Sequence, residues 1–191
     1  MNYIWLPIYT ENSREAADRW VKGKRDKGSA SPQIVYTPRE TGIRKALYRM
    51  KSGGCLRNIT TVDKLYILVH GSRSAVGWTR SDGVTKNYTP EQLVTLMEKE
   101  GLTKRIVHVS VFSCDSGLGE KSSFSSRLKQ AMNTRGFREV TVTGYLGTIS
   151  SNYEHRYMTE NSSFWTAEKY KGVTVGRWNR MVRASNHKIT F

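Results

Sequence analysis

The run Leu65-Tyr66-Ile67-Leu68-Val69-His70-Gly71-Ser72 decides the fold. Five apolar residues follow Asp63-Lys64 and stop abruptly at His-Gly-Ser. A run that short and that uniformly apolar is how a central parallel strand reads when both of its faces are covered. Ile106 to Phe112 reads as a second buried strand and ends at Ser113-Cys114-Asp115-Ser116-Gly117, small and polar residues that a strand would not continue through.

Upstream, residues 3–9 suit an edge strand, where Pro7 is tolerated. Ala16, Ala17, Trp20 and Val21 at helical spacing predict a helix over 12–22, capped by Asn12 or Ser13 and ended by Gly23. A basic loop from Lys22 to Ser31 leads to a short strand, Gln33 to Tyr36. Thr37-Pro38-Arg39-Glu40 then reads as a capping box that opens a helix over 38–51, closed by Gly53 and Gly54.

Downstream, Ala75 to Lys86 with its Ser81-Asp82-Gly83 turn predicts a hairpin. Thr89-Pro90-Glu91-Gln92 is a second capping box, and Leu93, Leu96 and Met97 make one helical face before Gly101. Phe124, Leu128, Ala131 and Met132 mark a helix ended by Gly136, and Glu139 to Thr143 a strand with Gly144 and Gly147 behind it. This alternation predicts an α/β fold, a mostly parallel twisted sheet with helices on both faces, over about residues 1–150. The last forty residues break the rhythm. Tyr153 to Met158, Phe164 to Tyr170, Val173 to Trp178 and Lys188 to Phe191 read as short strands and predict a β-rich, basic extension over about 151–191.

A chain of 191 residues fits a single domain, and ten Tyr, five Trp and five Phe supply large side chains for its core. The net charge of +15 creates a field that attracts phosphate, nucleic acid or anionic lipid whatever the fold. No apolar run approaches the ~18 residues of a membrane span, and the first residues lack a basic n-region and a long apolar h-region. The expectation is a protein that stays in the cytoplasm of the producing cell or is delivered by a specialised secretion system. Cys55 and Cys114 are too few for a disulfide framework and lack the spacing of a zinc site, so no metal is expected.

In open α/β sheets the binding crevice lies outside the carboxyl ends of the strands, which is where His70 and Cys114 fall. If their strands are neighbours, the ends lie roughly 5 Å apart in the hydrogen-bonding direction. A thiolate nucleophile and an imidazole that takes or gives its proton need that proximity. The N–H groups of Gly71 and Cys114 could together hold an oxyanion.

The two blocks, an apolar strand ending in His70-Gly71 and another ending in Ser113-Cys114, resemble the signatures of the caspase-like (clan CD) cysteine peptidases in order and separation. With the intervening hairpin and helix, and with Cys-Asp-Ser-Gly and Val-Thr-Gly-Tyr-Leu-Gly following, residues 62–147 look most like the bacterial toxin and effector branch. The resemblance implies an endopeptidase with His70 as the imidazole and Cys114 as the nucleophile, acting on a protein target or on itself. No cofactor is required. Some toxin domains of that branch are switched on by inositol hexakisphosphate, and Lys169, Lys171, Arg177, Arg180 and Arg183 are candidates for binding such a polyanion here.

Other readings stand beside this one. A thiol esterase or acyltransferase would use the same cysteine. However, Phe112 and Ser116 replace the small residues that flank a nucleophile elbow, and His70 precedes Cys114 where that fold places its histidine after. A basic module binding nucleic acid or phospholipid would leave the dyad incidental, although no nucleic-acid signature is present. Asp115 could orient His70, line a pocket for a basic side chain or, most simply, cap the following helix. Cys55 reads as structural and His108 as a packed or hydrogen-bonded core residue. His155 and His187 lack partners at metal-ligand spacing. Trp78, Trp165 and Trp178 read as core or hairpin packing before stacking platforms.

Overall fold

The structure is a computed structural model that describes residues 1–38, 47, 50–79, 83, 85–149 and 184–191, and between the last two segments the backbone of four strands. Its main sheet has six strands: β1 (Asn2–Leu6), β2 (Gln33–Tyr36), β3 (Lys64–Leu68), β7 (His108–Phe112), β8 (Thr141–Tyr145) and β14 (Lys188–Thr190). They lie in the order β2-β1-β3-β7-β8-β14. All neighbours are parallel except the edge strand β14, which runs against β8. The fold is α/β with a mostly parallel sheet, and the two apolar runs are its adjacent central strands.

Side-chain alternation divides the core into two layers. Tyr3, Trp5, Leu65, Ile67, Val109, Val111 and Val142 pack on one face with Leu93, Met97, Phe124 and Leu128, from the helices α2 (Pro90–Lys99) and α3 (Phe124–Thr134). Ile4, Leu6, Leu68 and Phe112 pack on the other with Ala16, Ala17 and Trp20 of α1 (Glu11–Asp26). The Trp20 ring lies 4.8 Å from that of Tyr66 and 4.7 Å from that of Phe112. Helices on both faces follow from right-handed crossovers that run one way along the sheet for β1–β2 and the other way for β3–β7–β8.

The capping box expected at Thr89 is formed, with Thr89 and Gln92 exchanging side-chain and backbone hydrogen bonds. That of α1 differs from expectation. Thr10 is the cap and Ser13 sits at the third helical position, so the helix starts earlier. Gly23 does not end it but lies buried inside it, and the chain leaves the helix at Gly28, whose φ is +63°. The capping box proposed at Thr37 to Glu40 and most of the helix over 38–51 lie outside the described residues. The chain is helical at Leu47 and from Met50 to Ser52, and the Thr37 hydroxyl accepts a hydrogen bond from Trp5 Nε1 at 3.1 Å.

After β3 the chain leaves the main sheet and builds a small antiparallel one from β4 (His70–Gly71), β5 (Val76–Thr79) and β6 (Thr85–Tyr88). The expected hairpin is β5–β6. Gly83, in its turn, has a φ of +77°. The C-terminal extension is β-rich, as expected, but its last strand, β14, belongs to the main sheet, where it pairs with β8. β9 (Thr148–Ile149), β12 (Gly172–Val175) and β13 (Arg180–Arg183) form one sheet, and β10 (Glu154–Met158) with β11 (Trp165–Lys169) another. Among the described residues no helix is long and apolar enough to cross a membrane.

Candidate active site at the ends of β3 and β7

Parallel pairing runs from Lys64 opposite His108 to Leu68 opposite Phe112, and the Val69 N–H still reaches the Phe112 carbonyl at 3.5 Å. One register therefore carries both chains to the same end of the sheet, and His70-Gly71 and Ser113-Cys114 emerge side by side. The contact between them is tight. A Cβ added to Gly71 would stand 2.1 Å from Ser113 Oγ, so the residue after His70 must lack a side chain for the two turns to touch. Ser113 is buried, and its hydroxyl has no hydrogen-bond partner among the described residues.

The Cys114 turn is stapled to the segment after β8. Ser116 Oγ donates to the Val111 carbonyl at 2.9 Å and accepts from the Tyr145 N–H at 3.1 Å. The Asp115 N–H donates to the Gly147 carbonyl and the Gly117 N–H to the Tyr145 carbonyl. Gly144, expected behind the strand, lies within β8, because a Cβ there would meet Ser125 Oγ at 2.4 Å and the Gly117 nitrogen at 2.7 Å. Cys114 is partly exposed, and its Sγ accepts from the Ile149 N–H of β9 at 3.4 Å.

Among the described residues, two backbone N–H groups at this end of the sheet have no sheet partner. Ser72 N–H donates to the Ala75 carbonyl at 2.9 Å, which makes 72 and 75 a hydrogen-bonded pair of the β4–β5 ladder. Such pairs alternate, so Gly71, opposite Val76, is a non-bonded position whose N–H points out of the β4 edge. Among the described residues the Cys114 N–H donates to no backbone carbonyl. Both groups suggested for an oxyanion hole are therefore free of sheet pairing.

His70 is more than a third exposed, and its ring lies 4.0 Å from that of Trp78 at a 34° tilt. Burial of the covered part holds its pKa below the ordinary histidine value, so the imidazole is neutral at pH 7 and can accept a proton. Arg73, in the turn after β4, donates to Ser122 Oγ at 2.8 Å and packs against Gly119, whose φ is +96°. This latch between the His70 and Cys114 loops has no signature in the sequence.

Asp115 does not cap the following helix. It sits in a left-handed conformation (φ 52°), and the chain makes a turn and a 3-10 segment (Glu120–Ser122) before Ser123 caps α3. The helix dipole is displaced from the cysteine accordingly. Cys55 is likewise free and partly exposed. Burial, with the Glu100 carboxylate beside it, pushes its thiol up to about 12. His108 is not in the core. It begins β7 at the far end of the sheet, exposed, with Nδ1 3.1 Å from Thr141 Oγ1. Trp78 is buried in the hairpin packing, as expected.

Of the five basic residues singled out in the extension, Lys169, Arg180 and Arg183 lie on strands whose backbone alone is described, and Lys171 and Arg177 fall outside the described residues. The side chains of His155 and Trp165 and the whole of Trp178 do too, whereas His187 is partly buried and accepts the Leu146 N–H at its carbonyl. Among the described residues no three His, Cys, Asp or Glu side chains cluster as a metal site would need. Compared with known proteins, the chain matches no family model and no curated sequence.

Proposed function

We propose that the chain is a caspase-like cysteine endopeptidase in which His70 and Cys114 act as the dyad, and that it serves as an effector or toxin cutting a protein target or itself. The observation that carries this reading is the β3–β7 register, which delivers His70-Gly71 and Ser113-Cys114 to one end of the sheet with Gly71 against Ser113. In the reaction the Cys114 thiol gives its proton to the neutral imidazole as sulfur bonds to the scissile carbonyl carbon. The carbonyl oxygen takes up negative charge between the Gly71 and Cys114 N–H groups. The C–N bond then breaks, the amine leaving with the proton held by His70, and water attacks the thioester to release the acid and restore the thiol.

The nucleophile-elbow reading is disfavoured on geometry. An elbow places its strain on the nucleophile, whereas here the left-handed residue is Asp115. The proposed test is cleavage of a peptide library by the native protein and two variants. Cys114→Ala is expected to abolish cutting and Cys55→Ala to retain it. Cutting that survives Cys114→Ala would refute the assignment.

A further inference from the structure

An open groove of about 390 Å³ runs across the small sheet, lined by His70, Gly77, Trp78, Thr79, Thr85 and Asn87 among others. His70 is one wall of it, and Cys114 is not part of its lining. The groove therefore extends from the dyad on the imidazole side alone. Its polar walls are neutral. The Thr79 and Thr85 hydroxyls stand 3.0 Å apart, and the Asn87 carboxamide leans over Gly77, where a Cβ would meet Oδ1 at 2.0 Å. Apart from His70 itself, no ionisable side chain lines the groove among the described residues, in a chain with 31 Lys and Arg.

We infer that this groove takes the part of the substrate that follows the scissile bond, and that it selects an uncharged segment there. The inference rests on the peptidase reading. The acyl part of a cut peptide stays on the thiol while the amine departs with the proton from His70, so the leaving segment must start beside the imidazole. A charged side chain would lose hydration in a groove whose described lining offers it no counter-charge beyond His70, whereas amide and hydroxyl groups find partners in Thr79, Thr85 and Asn87. Gly77 is indispensable to the shape, since any side chain there would displace Asn87.

The test compares a peptide library cut by the native protein with the same library cut by Thr79→Asp and Thr85→Lys, reading the residues on both sides of every cut by mass spectrometry. Both positions are exposed, so the folds should survive. Native cuts are expected to favour Ser, Thr and Asn over Lys and Glu on the amine side. Thr79→Asp should then enrich Lys, and Thr85→Lys enrich Glu, by about fivefold on that side alone. Cutting with unchanged amine-side residues in both variants overturns the groove assignment and leaves the peptidase reading standing. A second arm needs no turnover: an N-acetylated, C-amidated Ser-Thr-Asn peptide is titrated into Cys114→Ala protein, following the fluorescence that Trp78→Phe removes. Saturable quenching without any cutting by the native protein would sink the peptidase reading yet keep a peptide-binding groove. Absence of both would sink the two together.

Discussion

Gly71 and Ser113 occupy one another's space: the position a Cβ would take on Gly71 is 2.1 Å from Ser113 Oγ. Gly71→Ala must therefore push the two loops apart, at a cost of ~1–3 kcal/mol typical of overpacking. Ser113→Gly in the same chain should recover part of that loss, because the hydroxyl is the nearest obstruction, ahead of Val76 Cγ1 at 3.0 Å and the Ala75 carbonyl at 3.1 Å. Denaturant unfolding of the single and double variants checks this, and strict additivity would speak against the contact.

Ser113 and Ser116 should respond in opposite ways to loss of the hydroxyl. Ser113 Oγ is buried without a partner among the described residues, so Ser113→Ala is expected to be neutral or stabilising. Ser116 Oγ bridges the Val111 carbonyl and the Tyr145 N–H, so Ser116→Ala leaves buried groups unpaired and should cost ~1–3 kcal/mol. Midpoints of chemical unfolding distinguish the two.

Burial of the covered part lowers the His70 pKa below the ordinary histidine value. Neutral imidazole is the form that accepts the thiol proton. The acid limb of the rate should therefore lie at lower pH than an exposed histidine would set it. Trp78→Ala uncovers the ring and should move that acid limb to higher pH, along with the His70 titration followed by NMR. An acid limb that does not move would mean that Trp78 does not set the environment of His70.

Cys55 should be inert. With its thiol at about 12, roughly one molecule in ten thousand carries the thiolate at pH 8, so iodoacetamide should label Cys114 and spare Cys55 until the protein unfolds. Peptide mapping after brief labelling reads both sites at once.

The basic extension reaches the thiol through one strand. β12 pairs with β9 through Val173 and Ile149, and the Ile149 N–H donates to Cys114 Sγ. If a polyanion settles on the extension, inositol hexakisphosphate should change the rate of Cys114 alkylation, with an effect that weakens as salt rises. Arg180→Glu with Arg183→Glu should abolish the response. An unchanged rate at saturating polyanion would argue against an activator of this class.

Much of this architecture is written in short-range pattern. The apolar run at 65–69 and the stretch 106–112, apolar but for His108 and Ser110, name the two central strands, and the Thr89 capping box fixes the start of α2. What the pattern missed depends on contacts between segments distant in sequence. Gly144 reads as a strand terminator, yet it lies within β8 because Ser125 and Gly117 press on it. Asp115 reads as a cap, yet the chain needs a turn and a 3-10 segment before α3 can begin. The groove beside His70 was hidden because His-Gly reads as a turn, while in the fold it is an edge strand paired to Gly77 and Val76.

The most direct measurement of the central claim is modification by a peptidyl acyloxymethyl ketone, an electrophile that reports a thiolate in a peptide-binding site. Intact-protein mass spectrometry is expected to show one peptidyl group per chain, mapped to Cys114, with the rate reduced at least tenfold in His70→Ala. Equal labelling of Cys55 and Cys114, or a rate untouched by His70→Ala, would contradict the dyad.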